Sequence, residues 1–182
     1  QSIGGLYIRN GIKMNKVLFG GHHERNRRPA TVGHELVVGM AKALEISYNL
    51  MDEEQKREGE LRDYLETKIT EIVPECFVNC KGANRIKGTS SITFKYVEGE
   101  ALLLSLDMHG ICVSSGSACS SGDLAASHVI LGIGVGIEDA QGTLRFSVGR
   151  HNTKEEIDKV IEVVPAVIDK LRQMSPLYNS IK

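Results

Sequence analysis

The strongest constraint on this chain lies near its C-terminal end. Thr153-Lys154-Glu155-Glu156 has the pattern of a capping box, and behind it Ile157, Val160, Ile161, Val164, Ile168 and Leu171 form one apolar stripe. A helix that is apolar on one side must lay that side on another layer. The β-prone runs upstream offer it: Phe77 to Cys80, Ser91 to Tyr96, Ile111 to Val113, and Thr143 to Val148, which ends in Gly149-Arg150. Gly99 to His109 reads as a compact helix with Leu102, Leu103 and Leu106 inward and Gly110 placed to cap it. Leu124 to Ile133 reads as a further short helix, and Pro165 is a local irregularity in the last one. The expected architecture is α+β: a sheet of three or four strands covered on one face by helices.

The first half has a different texture. Ile3 to Ile8 follows the pattern of a strand, and Lys16 to Phe19 that of a second extended piece ending at Gly20-Gly21. A polar, basic stretch from His22 to Pro29 follows. Leu36 to Leu50 then has helical spacing, with Leu36, Met40, Ala43 and Leu44 on one face. A charged run from Asp52 to Arg57 leads to Leu61, Leu65, Ile69 and Ile72, again at helical spacing, and Pro74 stops the pattern. The two patterns are compatible with one long bent helix, against which Gly59 stands. The strand pieces of the first 45 or so residues have too little helix beside them to bury both faces. Residues 1–46 are therefore expected to be the edge of another layer with a linker helix, and 47–182 a small domain. The chain opens Gln1-Ser2-Ile3-Gly4 without an initiator Met, which is consistent with a piece of a longer protein or with a trimmed N-terminus.

Composition narrows the functional classes. With 182 residues, 41% hydrophobic and 25% charged, the chain can bury a core and is not a disordered tail. Its apolar runs fall short of the ~20 residues a membrane helix needs. A net charge of −1 gives no electrostatic reason to bind nucleic acid or an anionic membrane, and 5% aromatics without Trp leave no stacking platform. Four cysteines without a preceding signal peptide point to a reducing, cytoplasmic setting. No metal site is expected. Cys76 and Cys80 with His109 and Cys112 are a weak zinc pattern, because Cys76 flanks a strand and Cys112 sits in an apolar run where buried free thiols are common. Adjacent His22 and His23 with Glu24 converge poorly on one ion. Arg25, Arg27 and Arg28 fit a phosphate or acidic partner and an exposed rim equally well.

The stretch that carries chemistry is Ser114-Ser115-Gly116-Ser117-Ala118-Cys119-Ser120-Ser121-Gly122. It contains one reactive group, Cys119, among residues that add nothing to a core. Four or five residues on each side allow an excursion of ~10–15 Å at ~3.3 Å per residue, the reach of a thiol that visits two places. The alternative is an exposed linker with an incidental cysteine. An ordinary thiol is only a few per cent thiolate at neutral pH, and no base lies within a few residues of Cys119, so its activating partner must come from elsewhere.

Gly99 to Leu104 and Ser114 to Gly122, with Ser127-His128-Val129, Leu144 to Arg150, Gly4 to Arg9 and Gly20 to Arg25, resemble the group I cysteine desulfurases of the nitrogenase and iron–sulfur-cluster type, within the class V aminotransferase superfamily. The resemblance runs in register over essentially the whole chain. It implies the small C-terminal domain of a fold-type I enzyme dependent on pyridoxal 5′-phosphate, plus a remnant of the large domain. It implies that Cys119 is the catalytic thiol, which takes sulfur from L-cysteine as a persulfide, leaving L-alanine, and hands it to an iron–sulfur scaffold or other acceptor. It implies that Arg145 holds the substrate carboxylate; without the resemblance Arg145 is equally a strand-end surface arginine. Thr31 matches a threonine that reaches the cofactor phosphate of the neighbouring subunit, which implies a homodimer. Around it Ala30 stands where a glycine is usual and Gly33 where an asparagine is usual, and Lys87-Gly88 replaces the commoner Pro-Asn. The family's Schiff-base lysine lies before the stretch matching Ile3-Gly4-Gly5, so these 182 residues alone are expected to bind no cofactor and to be inactive. Two other readings remain: another class V aminotransferase-like enzyme, or a cofactor-free module that accepts and relays persulfide on Cys119.

Overall fold

The computed structural model describes residues 3–115 and 126–179. The chain divides into two compact units, Gln1–Asp52 and Glu53–Lys182.

In the first unit, the residues before position 23 form no strand among those described, and Leu6, Tyr7 and Phe19 are exposed. The strands expected at 3–8 and 16–19 are therefore corrected: a strand needs a neighbour for its amides, and none lies beside these segments among the described residues. His23–Asn26 is a single helical turn, α1, whose Glu24 and Arg25 take left-handed angles. Helix α2 begins at His34 and runs without interruption to Ile72, so the two helical patterns are one helix and Gly59 does not break it. Leu36, Val38 and Leu44 on its first part are exposed.

The second unit contains a four-stranded antiparallel sheet in the order β1-β2-β4-β3, formed by β1 (Cys76–Val78), β2 (Thr89–Phe94), β3 (Ser114–Ser115) and β4 (Thr143–Ser147). Helices α3 (Gly99–Asp107) and α6 (Lys154–Met174) and the later part of α2 supply the apolar layer. Ile92 and Phe94 of β2 and Leu144 and Phe146 of β4 meet Leu65 and Ile69 of α2, Leu102 and Leu106 of α3, and Ile157, Val164 and Ile168 of α6. This is the α+β sheet with helices on one face that the apolar stripe of α6 requires. Between α3 and β4 lie two short helices, α4 (His128–Gly132) and α5 (Ile137–Ala140). The helix expected from Leu124 thus begins at His128 among the described residues. The last turn, α7, is Pro176–Asn179.

Local chemistry explains the element ends. The Glu98 carboxylate caps α3 by accepting from the backbone N–H of Glu100 at 2.9 Å and of Ala101 at 2.7 Å. α3 is left through a Schellman pair of bonds: Ile111 N–H donates to Leu106 O at 3.0 Å and Gly110 N–H to Asp107 O at 2.8 Å, with Gly110 at φ +72°. The cap consumes the amide of Ile111, so the strand expected at 111–113 starts later, at Ser114. Cys112, expected to be buried, is exposed for the same reason. Gly142 is required at the entry to β4, because a Cβ there would stand 2.1 Å from Phe94 O. At the exit of β4 the Arg57 guanidinium donates to Asn152 O at 2.7 Å, Gly149 O at 3.0 Å and Arg150 O at 2.6 Å. Arg150 in turn is paired with Glu54.

Two buried polar groups stand out. Arg172 is 1% exposed; it donates to Lys95 O at 3.1 Å and Glu75 O at 3.0 Å, and its guanidinium faces the Tyr178 ring at 5.5 Å. It ties the end of α6 to the residue before β1 and the residue after β2. Ser90 is also 1% exposed, on the helix side of β2 opposite Phe146, and its hydroxyl has no hydrogen-bond partner among the described residues. No described helix is long and apolar enough to cross a membrane.

Two outcomes follow for stability. Ser90→Ala removes a buried hydroxyl that bonds to nothing, and should raise the free energy of urea unfolding by about 1 kcal/mol. At the start of α6 the capping box forms with both reciprocal bonds, Thr153 and Glu156 each capping the other's backbone. The Asn152 amide first, then the Thr153 backbone N–H, hold the Glu156 carboxyl below its usual range. A carboxyl whose pKa falls on folding adds stability above its unfolded pKa and loses it as pH drops through the folded value. Glu156→Gln should therefore flatten the decline of the thermal midpoint between about pH 6 and pH 3.

Candidate functional site

Strand alternation gives the sheet a second, polar face. On β4, Leu144 and Phe146 point into the core, so Thr143, Arg145 and Ser147 point away from it. The ladder sets Arg145 opposite Ser91 of β2 and Ser114 of β3, and Thr143 opposite Thr93. Asn79, just past β1, is buried and knits this face together. Its Nδ2 donates to Ser91 Oγ at 3.0 Å and Thr93 Oγ1 at 2.9 Å, while Thr93 Oγ1 and Thr143 Oγ1 share a hydrogen bond of 2.7 Å. The hydroxyls thus satisfy one another beneath the open end of the face, and a buried polar network of this kind holds one geometry.

Above that floor lies a concavity of about 440 Å³. Asn79, Thr89, Ser91, Thr143 and Arg145 line it from the sheet, and Val129, Ile130 and Ile133 from the α4 region. Arg145 is exposed, and among the described residues no hydrogen bond or ion pair engages its guanidinium. A planar, permanently charged fork with free N–H groups over a hydroxyl-lined floor is suited to a carboxylate. Ser115 and Ser127 line the same concavity, and Cys119 lies between them in the sequence. Cys119 itself, with the rest of 116–125, lies outside the described residues.

The remaining sequence candidates are distributed as follows. Thr31 is an exposed residue of the first unit, next to Ala30 at φ +87°, whereas Arg145 belongs to the second. Burial pushes the Cys76 thiol up, and its Sγ–H donates to Val73 O at 3.1 Å on the core side of the sheet. Cys80 is exposed, and His109 Nδ1–H donates to Ser105 O at 2.8 Å. Among the described residues no three His, Cys, Asp or Glu side chains converge to hold a metal ion. Sequence reasoning missed Asn79, Thr93 and Thr143. Only Thr93 left a signal, in the polar positions 89, 91 and 93 that alternate with Ile92 and Phe94 along β2; Asn79 and Thr143 left none.

Residues 2–160 match the family model described as aminotransferase class V, and the chain belongs to that family. Within it, the chain is 44% identical over 179 residues to a cysteine desulfurase of Trichormus azollae, covering 98% of this chain and 45% of that protein. It is 42% identical over 179 residues to the cysteine desulfurase NifS of Azotobacter vinelandii, covering 98% of this chain and 44% of that one. The chain thus spans a little under half the length of these relatives. Among solved structures, a NifS-like protein from Rickettsia africae ESF-5 superposes with a TM-score of 0.77 at 27% identity, covering 87% of this chain and 41% of its own. Another NifS-like protein gives a TM-score of 0.78 at 28% identity, with 91% and 42% covered. The family implies pyridoxal 5′-phosphate in the full-length enzyme. Among the described residues lining the concavity around Arg145 there is no lysine, so that lining offers no amine to the cofactor's aldehyde.

The floor is testable apart from any reaction. Thr93→Val leaves the Asn79 amide and the Thr143 hydroxyl short of a partner in a buried place, and should cost about 2 kcal/mol in urea unfolding. Ser147→Ala, on the same strand face but exposed, should change it by less than about 0.5 kcal/mol.

Proposed function

We propose that the full-length protein carrying this chain is a cysteine desulfurase. Arg145 binds the carboxylate of L-cysteine, and Cys119 accepts the substrate's sulfur. The observation that carries this reading is the Arg145 guanidinium, unengaged among the described residues, in a concavity lined by Ser115 and Ser127, which stand on either side of Cys119 in the sequence. In the overall reaction the C–S bond of L-cysteine breaks and its electron pair stays with carbon, which takes up a proton to give L-alanine. The sulfur forms an S–S bond with the Cys119 thiolate, so a persulfide results without any external oxidant.

The Arg145 fork orients the amino acid through two parallel hydrogen bonds, and the hydroxyl floor beneath keeps Arg145 on its strand address. The second unit corresponds in this reading to the small domain, about 47–182. The first, about 1–46, belongs to the large domain that holds the cofactor. Thr31 contributes a hydroxyl to the cofactor phosphate of a neighbouring subunit, so the enzyme works as a homodimer. It acts in the cytoplasm and passes its sulfur to an iron–sulfur scaffold or another acceptor protein.

The test uses the full-length protein supplied with pyridoxal 5′-phosphate, L-cysteine and a thiol reductant that releases the persulfide sulfur as sulfide, and follows alanine and sulfide. Cys119→Ala should abolish sulfide release. Arg145→Ala should lower kcat/KM for L-cysteine about a hundredfold, mainly through KM, as expected for a lost bidentate clamp. A Cys119→Ala enzyme of full activity would sink the assignment and leave another class V enzyme. A protein that takes up no cofactor yet accepts persulfide on Cys119 would be a relay module instead.

A further inference from the structure

A second concavity, of about 330 Å³, lies between α2 and the segment joining β1 to β2, and Arg85 lines both it and the first. Arg62, Asp63, Glu66 and Thr67 line it from the helix, and Lys81, Ala83, Asn84, Arg85 and Lys87 from the segment between β1 and β2. Its charges fall into two groups. The Arg62 guanidinium is buried and donates to Asp63 Oδ1 through Nε at 2.9 Å and through a terminal nitrogen at 2.6 Å, with Ile86 O accepting at 3.2 Å. Arg85 donates to both oxygens of Glu66, which is 2% exposed, at 2.7 and 3.0 Å. Each of these pairs is neutral in sum. Lys81 and Lys87 are the second group, and among the described residues neither has a hydrogen-bonding or ionic partner.

Lys87 is not simply a surface lysine afloat in solvent. A methyl group at position 59 would stand 3.5 Å from Lys87 Cδ, so the aliphatic stem lies across α2 at Gly59 and only its ammonium is left to the concavity. Both Glu66 oxygens are taken by Arg85, which removes the buried carboxylate as a cation ligand. Each guanidinium retains N–H groups beyond those engaged. The lining is therefore short of two negative charges and rich in donors.

We propose that this concavity binds a small, multiply charged oxyanion, the phosphate of a metabolite-sized ligand, held by Lys81 and Lys87 over the Arg62 and Arg85 guanidiniums. A dianion neutralises the two spare ammonium groups. The cavity volume suits a phosphate with a few further atoms rather than a folded partner. The site shares only Arg85 with the lining of the Arg145 concavity and does not depend on the reaction assigned to that clamp.

Inorganic pyrophosphate, titrated at constant ionic strength into the full-length protein carrying this chain, labelled with 15N, tests it. The amides of 63–67 and 84–87 should shift and saturate together. Lys81→Gln with Lys87→Gln should raise the half-saturation concentration about tenfold, the loss of a charge-assisted hydrogen bond, at an unchanged thermal midpoint. Lys170→Gln, at an exposed lysine on α6, should leave it unaltered. Shifts that never saturate and follow every lysine alike would overturn the site, as would a double variant that binds like the parent. A glutamate-rich peptide that saturates these amides where pyrophosphate does not would replace the small oxyanion with a protein partner.

Discussion

The second unit depends on the two-residue period of β4. One side of this strand delivers Leu144 and Phe146 to the helices, and the other delivers Thr143, Arg145 and Ser147 to the opposite face. A slip of one residue would carry the guanidinium into the core and a leucine out of it, so the hydrophobic layer fixes the site's address. The burial that stabilises the sheet therefore also decides where its one unengaged arginine stands. The apolar stripe of α6 and the later part of α2 hold the sheet from behind.

Much of this was legible in the sequence where a pattern has a single physical solution. The capping box at Thr153 and Glu156 leaves no other start for α6, and the stripe behind it leaves no other orientation. Arg145 was placed by a resemblance, and strand alternation then explains why it faces outward. Other features were not legible because they depend on partners distant in sequence. Ile3 to Ile8 has a strand's composition, but composition does not provide a neighbour. Ile111 to Val113 lost its strand to a helix cap whose bonds reach back to Leu106. The floor of the site joins Asn79, Thr93 and Thr143, and only the sheet brings them together.

Charge is handled differently in different places. Glu66 and Arg85 form a shielded pair with two bonds, whereas Arg172 is buried among backbone carbonyls and an aromatic ring with no carboxylate beside it among the described residues. The first is matched charge for charge; the second is solvated by dipoles. Both cross-link different segments of the chain, and Arg85 also reaches the rim of the concavity that holds Arg145.

The grip of Arg57 on the three carbonyls of Gly149, Arg150 and Asn152 has a consequence for how such a site can change. A strand gripped where it leaves the sheet, as well as along its length, cannot creep past its neighbours. Serines and threonines underneath can be traded for other small side chains over generations, altering what is welcomed, while the positive fork stays put. Selectivity in such a design drifts by retiling a floor and never by relocating its anchor.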